Sequence, residues 1–349
     1  MNNILITGGC GFIGSNFIRY MVNNNKNVHI INLDKLTYAG NKKNLVGLNN
    51  DSYTLIEGDI CDSLLVKSII NDYKVDSLIN FAAESHVDRS ISNPTNFLRT
   101  NVMGTLNLLV QAKEYLKSYR RSSFKFIQIS TDEVYGSLGD NGCFDENTPY
   151  DPRSPYSASK ASSDHLVRSW FHTYKLPTII TNCSNNYGPY QFPEKLIPLM
   201  IINCFKKKKL PIYGSGINIR DWLHVDDHCS AINTVLLKGN PGETYCIGGD
   251  AEKTTINIVN IICDIMDKFK PLSDQGEHYS SLISYVEDRP GHDHRYAIDF
   301  KKINSNLGWE PQISFERGIE DTIKWYLNNQ SWWEDILKNN YNQERLGLL

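Results

Sequence analysis

The residues that could do chemistry gather in one stretch. Ser130-Thr131-Asp132-Glu133-Val134-Tyr135-Gly136 follows the apolar run Phe124 to Ile129, and Tyr156-Ser157-Ala158-Ser159-Lys160 comes soon after. A strand that ends in a hydroxyl and two adjacent carboxyl groups, followed by a Tyr and a Lys four residues apart, supplies four kinds of proton-handling side chain. Such a set is equipment for proton transfer on a small polar molecule. Neighbouring carboxyls can divide the roles of acid and base only where their surroundings separate their pKa values. The Tyr156-x-x-x-Lys160 spacing puts both side chains on one helix face, where the ammonium can lower the phenol's pKa and bind ribose hydroxyls.

The elements that must position this stretch are legible from the N-terminus onward. Ile4 to Thr7 is a short apolar run that leads into Gly8-Gly9-Cys10-Gly11-Phe12-Ile13-Gly14, and Ser15 to Asn23 has helical spacing. Strand, glycine turn and helix in this order can hold a pyrophosphate: Gly8, Gly11 and Gly14 allow close backbone approach, and the helix N-terminus offers amide N–H groups. The next strand, Val28 to Leu33, ends at Asp34, twenty residues beyond Gly14, where a carboxylate can accept from an adenosine ribose. A carboxylate there would repel a 2'-phosphate, so NAD is favoured over NADP. Further apolar runs end at Asp59, Ala83 and Thr131 with helical segments between them, and Pro177 to Cys183 is a sixth strand. The fold expected is α/β, a Rossmann-type doubly wound parallel sheet with its ligand crevice at the strand C-termini and a smaller C-terminal α/β substrate domain.

After the sixth strand the pattern loosens. Residues 185–190 read as turn-rich, 194–208 as a helix, and short strands (210–213, 281–287) mix with helices (255–269, 314–328). The division expected is a dinucleotide-binding part over 1–185 with returns at about 222–250, a sugar-nucleotide part over 186–221 and 251–330, and a C-terminal tail over 331–349. The long segments Pro94 to Lys117 and Tyr156 to Tyr174 carry apolar stripes that could pair with their copies, so a homodimer through a helix bundle is expected.

Composition narrows the class. A chain of 349 residues, 40% hydrophobic and 21% charged, reads as a soluble enzyme. The net charge of -3 argues against nucleic-acid binding. Eight cysteines lie scattered without C-x-x-C or zinc-finger spacing, so reduced thiols and no metal are expected. No leader-like opening and no long apolar stretch is present, which points to a cytoplasmic protein without membrane association.

With a dinucleotide fingerprint upstream, the Tyr156/Lys160 pair resembles the short-chain dehydrogenase/reductase superfamily in its extended form. Residues 81–90 (Phe-Ala-Ala-Glu-Ser-His-Val-Asp-Arg-Ser), the Thr131-Asp132-Glu133 triplet, residues 185–196 (Asn-Asn-Tyr-Gly-Pro-Tyr-Gln-Phe-Pro-Glu-Lys-Leu), Arg220-Asp221-Trp222-Leu223 and Asp288-Arg289-Pro290-Gly291-His292-Asp293 narrow the resemblance to the nucleotide-sugar 4,6-dehydratases. It spans Asn3 to about Asn329 and is nearest to members acting on dTDP-glucose, with UDP-glucose left open, since one methyl separates the bases.

The resemblance implies a reaction. Tyr156, assisted by Lys160, would take the glucose 4-hydroxyl proton while C4 gives its hydride to tightly held NAD+, and Thr131 would keep that hydroxyl in line. Glu133 would abstract the C5 proton, Asp132 would protonate the departing 6-hydroxyl, and the hydride would return to C6. It also implies that Phe12, Ile13, Asp34, Lys35, Thr37, Asp59, Ile60, Ala82, Ala83, Ser85, Thr100 and Asn186 line the cofactor. Ser85, His86, Thr131, Asn185, Lys195, Leu196, Pro211, Ile212, Tyr213, Arg220, Asn257, Arg289 and His292 would line the sugar nucleotide. Physically, Lys195, Arg220 and Arg289 can neutralise a diphosphate and Tyr213 can stack on a pyrimidine. Two positions depart from the family pattern, His224 where Tyr is expected and Cys246 where Asn is expected. A 4-epimerase or a decarboxylase of the superfamily is the rival reading, and Asp132 is the residue that discriminates, because an epimerase has no use for a carboxyl pair. A non-catalytic NAD-binding sensor would have lost one of Tyr156, Lys160, Asp132 or Glu133.

Overall fold

The computed structural model describes residues 2–48, 51–119, 123–272, 276–288, 291–339 and 341. Its strands in chain order are β1 (Asn2–Thr7), β2 (Val28–Asp34), β3 (Tyr53–Glu57), β4 (Ser77–Asn80), β5 (Lys125–Thr131), β6 (Thr178–Cys183), β7 (Asn185–Tyr187), β8 (Leu210–Tyr213), β9 (Ile219–His224), β10 (Thr244–Ile247), β11 (Glu252–Thr254) and β12 (Ile283–Val286). Seven of them form one parallel sheet in the order β10-β6-β5-β4-β1-β2-β3. β1, β5 and β6 are buried along nearly their whole length because both faces of such a sheet are covered by helices. The doubly wound Rossmann-type fold expected from the strand-helix alternation is the fold observed. Its order reverses between β1 and β4, and at that switch point the loops after the two strands part to leave a crevice.

β5 lies between β4 and β6, so the stretch that ends at Thr131 is held from both sides, with Ser130 opposite Asn182 and Thr131 opposite Cys183. A three-stranded sheet (β11-β9-β7) and a parallel pair (β12-β8) make up the rest. β7 adds a strand to the stretch 185–190, which the sequence marks as turn-rich. Asn185–Tyr187 pairs in parallel with Trp222–His224, a partner too distant in sequence for local composition to reveal.

The helical run from Pro94 is continuous, but Leu98–Gly104 is wound as a π-helix between the α-helical segments Pro94–Phe97 and Thr105–Ser118. Such wide turns occur at functional positions, and this one sits where Gly104 passes close to Ile60, leaving no room for a Cβ.

Of four apolar clusters among the described residues, two alternate along the chain. One holds β1, the helix Phe12–Asn24 and the helix Val225–Lys238, and it takes in Ile303, Leu307 and Trp309. The other holds Tyr187, the helices Leu196–Phe205, Thr255–Phe269 and Phe315–Asn328, and the helix Gln330–Asn339. That last helix corrects the expectation of a tail. Trp332, Trp333 and Ile336 are buried, and the indole N–H groups donate to Asn44 Oδ1 (2.8 Å) and to the Tyr326 carbonyl (2.9 Å). Among the described residues no helix is long and apolar enough to cross a membrane.

Candidate active site

The crevice begins at the glycine turn. Gly8 has φ +71°, and a Cβ there would meet the Ala82 backbone at 2.6 Å; a Cβ at Gly14 would meet the Gly8 carbonyl at 2.5 Å. At Gly11 a Cβ would approach only the Gly8 carbonyl, at 3.3 Å, so the space in front of the turn is open. Gly11 caps the helix Phe12–Asn24 with no side-chain hydrogen bond and no acid in the first turn, which leaves the first amide N–H groups available to an anion. At the end of β2, Asp34 accepts from Cys10 N and Leu36 N, both at 2.8 Å. Burial pushes its carboxyl pKa up while those two amides oppose the rise. Asp59 carries the Lys35 ammonium at 2.9 Å. Burial pushes the Asp59 carboxyl up, but the Cys61 amide and Lys35 prevail and hold it below its ordinary value. An open phosphate cradle beside a carboxylate at the end of β2 fits a dinucleotide without a 2'-phosphate. Every residue expected at the cofactor borders this one crevice: Gly8, Gly11, Phe12, Ile13, Gly14, Asp34, Lys35, Thr37, Asp59, Ile60, Ala82, Ala83, Ser85, Thr100, Tyr156, Lys160 and Asn186.

The proton-handling set lines the same crevice. Thr131 ends β5 and caps the short 3₁₀ turn Asp132–Tyr135: its Oγ1 accepts from Glu133 N at 3.3 Å and donates to Asp132 Oδ1 at 3.2 Å. Asp132 is buried, and its Oδ2 has no hydrogen-bond partner among the described residues. Burial first, then the negative charges of Glu133 and Asp221, raise its pKa well above the carboxylate range, against the pull of Arg220 and the Thr131 hydroxyl. Glu133 is half-buried. The two adjacent carboxyls therefore stand in different surroundings, which is what dividing acid from base requires.

Tyr156 and Lys160 lie on the helix Pro155–Tyr174, which opens with a Ser154/Ser157 capping box and Pro155 in its first turn. Burial, Glu133 and Cys183 hold the Tyr156 phenol well above its ordinary pKa, with the Thr131 hydroxyl opposing. Lys160 donates to the Ile129 carbonyl at 2.7 Å, and burial pushes its pKa down against the attraction of Asp164. In this arrangement the ammonium is engaged with a backbone carbonyl, and burial is the largest influence on the phenol.

The residues expected at the sugar nucleotide divide. Ser85, Thr131, Asn185 and Lys195 border the crevice, and Lys195 Nζ donates to the Ser85 carbonyl at 3.2 Å. His86 is buried beside it, accepting from Arg89 N at 3.4 Å through Nδ1. Leu196 packs against the second apolar cluster, and Ile212 is fully buried in that cluster, so its side chain cannot face a ligand. Pro211 and Tyr213 lie on β8, with the Tyr213 hydroxyl 3.5 Å from Asp88 Oδ2. Arg220 does not border the crevice. Its guanidinium donates to the carbonyls of Ile219 (2.7 Å), Asp293 (3.0 Å) and His294 (3.3 Å) and stacks over Tyr296 at 4.1 Å. Asn257 is exposed in the first turn of the helix Thr255–Phe269, and His292 Nδ1 lies 2.7 Å from Asp288 Oδ1. Arg289 lies outside the described residues. Of the two departures, His224 packs edge-on against Tyr187 and Cys246 sits 3.4 Å from the Tyr135 hydroxyl; neither borders the crevice.

Two groups went unsingled by the sequence reading. At the mouth, Glu194 accepts from the Tyr38 hydroxyl (3.0 Å) and from Arg89 Nε (3.1 Å), and Arg89 stacks over Tyr38 at 3.9 Å. Glu194 stood inside a quoted motif, between Pro193 and Lys195, which was signal enough. Behind the catalytic strand, Asp164 binds Ser130 and Tyr150; its place four residues after Lys160 put it on the same helix face.

A family model described as GDP-mannose 4,6 dehydratase matches residues 5–322. A dTDP-glucose 4,6-dehydratase of Xanthomonas campestris pv. campestris is 53% identical over 347 residues, covering 98% of each chain. Among solved structures, dTDP-glucose 4,6-dehydratase from Bacillus anthracis in complex with NAD is 48% identical, covers 96% of this chain and 100% of that one, and superposes with a TM-score of 0.85. The Streptomyces venezuelae dTDP-glucose 4,6-dehydratase with NAD and TYD bound is 43% identical over 96% of this chain and 99% of that one, with a TM-score of 0.87. Fold, crevice and these relatives agree: the chain belongs to the nucleotide-sugar 4,6-dehydratase family of extended short-chain dehydrogenases/reductases.

Proposed function

We propose that this chain is a hydro-lyase that converts an NDP-glucose, with dTDP-glucose as the first choice, to the NDP-4-keto-6-deoxy-glucose, holding NAD+ through turnover. The observation that carries this reading is the buried Asp132 beside half-buried Glu133 at the end of β5, a carboxyl pair that a 4-epimerase or a sensor has no need of. Relatives at 53% and 48% identity that bear the dTDP-glucose 4,6-dehydratase name favour the thymidine nucleotide.

In this reading bound NAD+ accepts a hydride from sugar C4 and later returns it to C6. Tyr156 takes the 4-hydroxyl proton, and Lys160 binds the cofactor ribose. Thr131, whose Oγ1 lies between Asp132 and the Glu133 amide, orients the 4-hydroxyl. Once C4 is a ketone its neighbour C5 becomes acidic, and Glu133 removes that proton. Asp132, whose carboxyl is pushed by burial toward the protonated form, gives its proton to the departing 6-hydroxyl, and water leaves. Glu133 then reprotonates C5.

Lys195 at the mouth, with Arg289, serves the diphosphate. The second apolar cluster, from Tyr187 through the helix Phe315–Asn328, is the body of the sugar-nucleotide part. Arg220 contributes from behind, through Asp132 and Tyr296, rather than by touching phosphate. Leu98 and Met103, exposed by 51% and 55% on the 94–118 helical run, are the contact of a homodimer, and the eight unpaired cysteines suit the reducing cytosol.

The test is a side-by-side incubation of the purified protein with dTDP-glucose and UDP-glucose without added NAD, followed by mass spectrometry. Loss of one water from either establishes the dehydratase and a carried cofactor, and the ratio of kcat/KM values chooses the nucleotide. No product from either, even with NAD added, sinks the reading.

A further inference from the structure

Asp164 lies one helical turn beyond Lys160, fully buried, and takes no part in the proton transfers above. Its Oδ2 receives the Ser130 hydroxyl at 2.7 Å and the Tyr150 hydroxyl at 3.0 Å, with the Asn182 amide at 3.5 Å. Its Oδ1 has no hydrogen-bond partner among the described residues. Ser130 and Asn182 face each other across the β5–β6 register, and Asn182 also donates to the Thr131 carbonyl at 3.1 Å. The Ile129 carbonyl, one residue before Ser130, receives the Lys160 ammonium. One side chain therefore braces the strand end that carries Thr131, Asp132 and Glu133, and it does so beside the ammonium anchored on the same strand.

Tethering alone would not call for a carboxylate. An Asn in this place could still bind Ser130 and Tyr150, and a buried carboxyl with one oxygen unpaired is costly. What an Asn lacks is the charge. The charged and titratable groups around the pair are Arg168 on the same helix, which reaches the Tyr150 hydroxyl at 3.0 Å, Tyr156 one turn before Lys160, Tyr150 itself, Cys183 at the end of β6, and Tyr135 in the turn after β5. Burial drives the Lys160 ammonium toward neutrality and Asp164 is the first group that opposes it; Lys160 in turn is the first that opposes the upward push of burial on Asp164.

We propose that Asp164 is a positioning residue of the proposed dehydratase: the buried counter-charge that keeps Lys160 an ammonium, while its hydrogen bonds pin the end of β5. This rests on the functional reading above. The test is the pH profile of C4 oxidation alone, in a single turnover followed by nicotinamide absorbance, a step in which Asp132 transfers no proton. In Asp164→Asn the rate of this step falls roughly 10- to 100-fold, the scale of a misplaced catalytic group. Affinity for the nucleotide sugar holds, and the alkaline limb moves to lower pH, because Lys160 loses its proton sooner. Ser130→Ala, which removes one tether and no charge, slows the step without moving the limb. If Asp164→Asn does not fold, Asp164→Ser, with room for a water, is read in the same way. A variant limb that coincides with that of active wild-type protein overturns this inference alone. Wild-type protein that oxidises neither nucleotide sugar overturns the functional reading, and this inference with it.

Discussion

Asp132 and Glu133 are chain neighbours in one 3₁₀ turn, yet Asp132 is 2% exposed with an Oδ2 that has no partner among the described residues, while Glu133 is half open to the crevice and gives its amide to Thr131. A one-residue step across the lip of the sheet thus yields two carboxyls of different character. Glu133→Gln should stop exchange of the C5 hydrogen with solvent and lower kcat by roughly 10² to 10⁴, the usual contribution of one general base. Tyr156→Phe should instead stop the reaction before any nicotinamide is reduced. Mass spectrometry in deuterated water and absorbance separate the two, and full turnover by both Asp132→Asn and Glu133→Gln would show the acid-base assignment to be wrong.

The same burial makes Asp132 a cost to the fold. Its folded-state pKa is raised, by burial first and then by Glu133 and Asp221, so the folded protein binds this proton more tightly than the unfolded chain. The sign follows: the stabilisation is full below the unfolded carboxyl pKa and is lost as pH rises toward the folded value. Asp132→Asn, which cannot ionise, should therefore melt at a higher temperature than wild type at pH 8, with a smaller difference at pH 5. Calorimetry at the two values checks this, and a gap that shrinks with rising pH would contradict it.

The glycine turn offers a backbone test. Gly8→Ala places a methyl 2.6 Å from the Ala82 backbone at φ +71°. The left-handed conformation alone costs roughly 1 to 3 kcal/mol, and the clash falls on backbone at the switch point. Urea unfolding should show at least this loss, and the purified variant should carry less NAD than wild type.

Much of this was legible in the chain itself, and the reason is locality. The turn from Gly8 to Gly14, the carboxylate closing β2 and the Thr131-Asp132-Glu133 end of β5 are each specified by neighbours within a few residues, because strand, turn and cap are short-range structures. What stayed hidden depends on partners far along the chain. β7 exists only by pairing with β9, and the direction of the Lys160 ammonium depends on the Ile129 carbonyl of another element. Arg220 binds the carbonyls of Asp293 and His294, 73 and 74 residues further along the chain, which no local pattern could show.

The helix Gln330–Asn339 was hidden for the same reason, since its indoles find Asn44 and Tyr326 only in the folded protein. Trp333→Ala, at a site 1% exposed, should cost about 3 to 5 kcal/mol. Denaturant titration would show the loss, and a change within error of zero would mean that the helix contributes nothing to the second cluster.

A pair of charges tests the proposed dimer. Leu98→Glu with Met103→Glu on the 94–118 run should halve the mass measured by light scattering while leaving the far-ultraviolet dichroism unchanged. An unchanged mass would move the contact elsewhere.

The alternation of the two apolar clusters has a consequence for inheritance. The chain leaves the first cluster near Cys183, visits the second from Tyr187 to Trp222, returns from Leu223 to Ile247, crosses again for Ile258 to Tyr279, comes back at Ile303 to Trp309 and ends in the second. No single crossover between two related genes could therefore hand over one cluster intact. New sugar or nucleotide preferences in such a molecule would have to arise by point changes in the connecting loops, with the interleaved bodies passed on together.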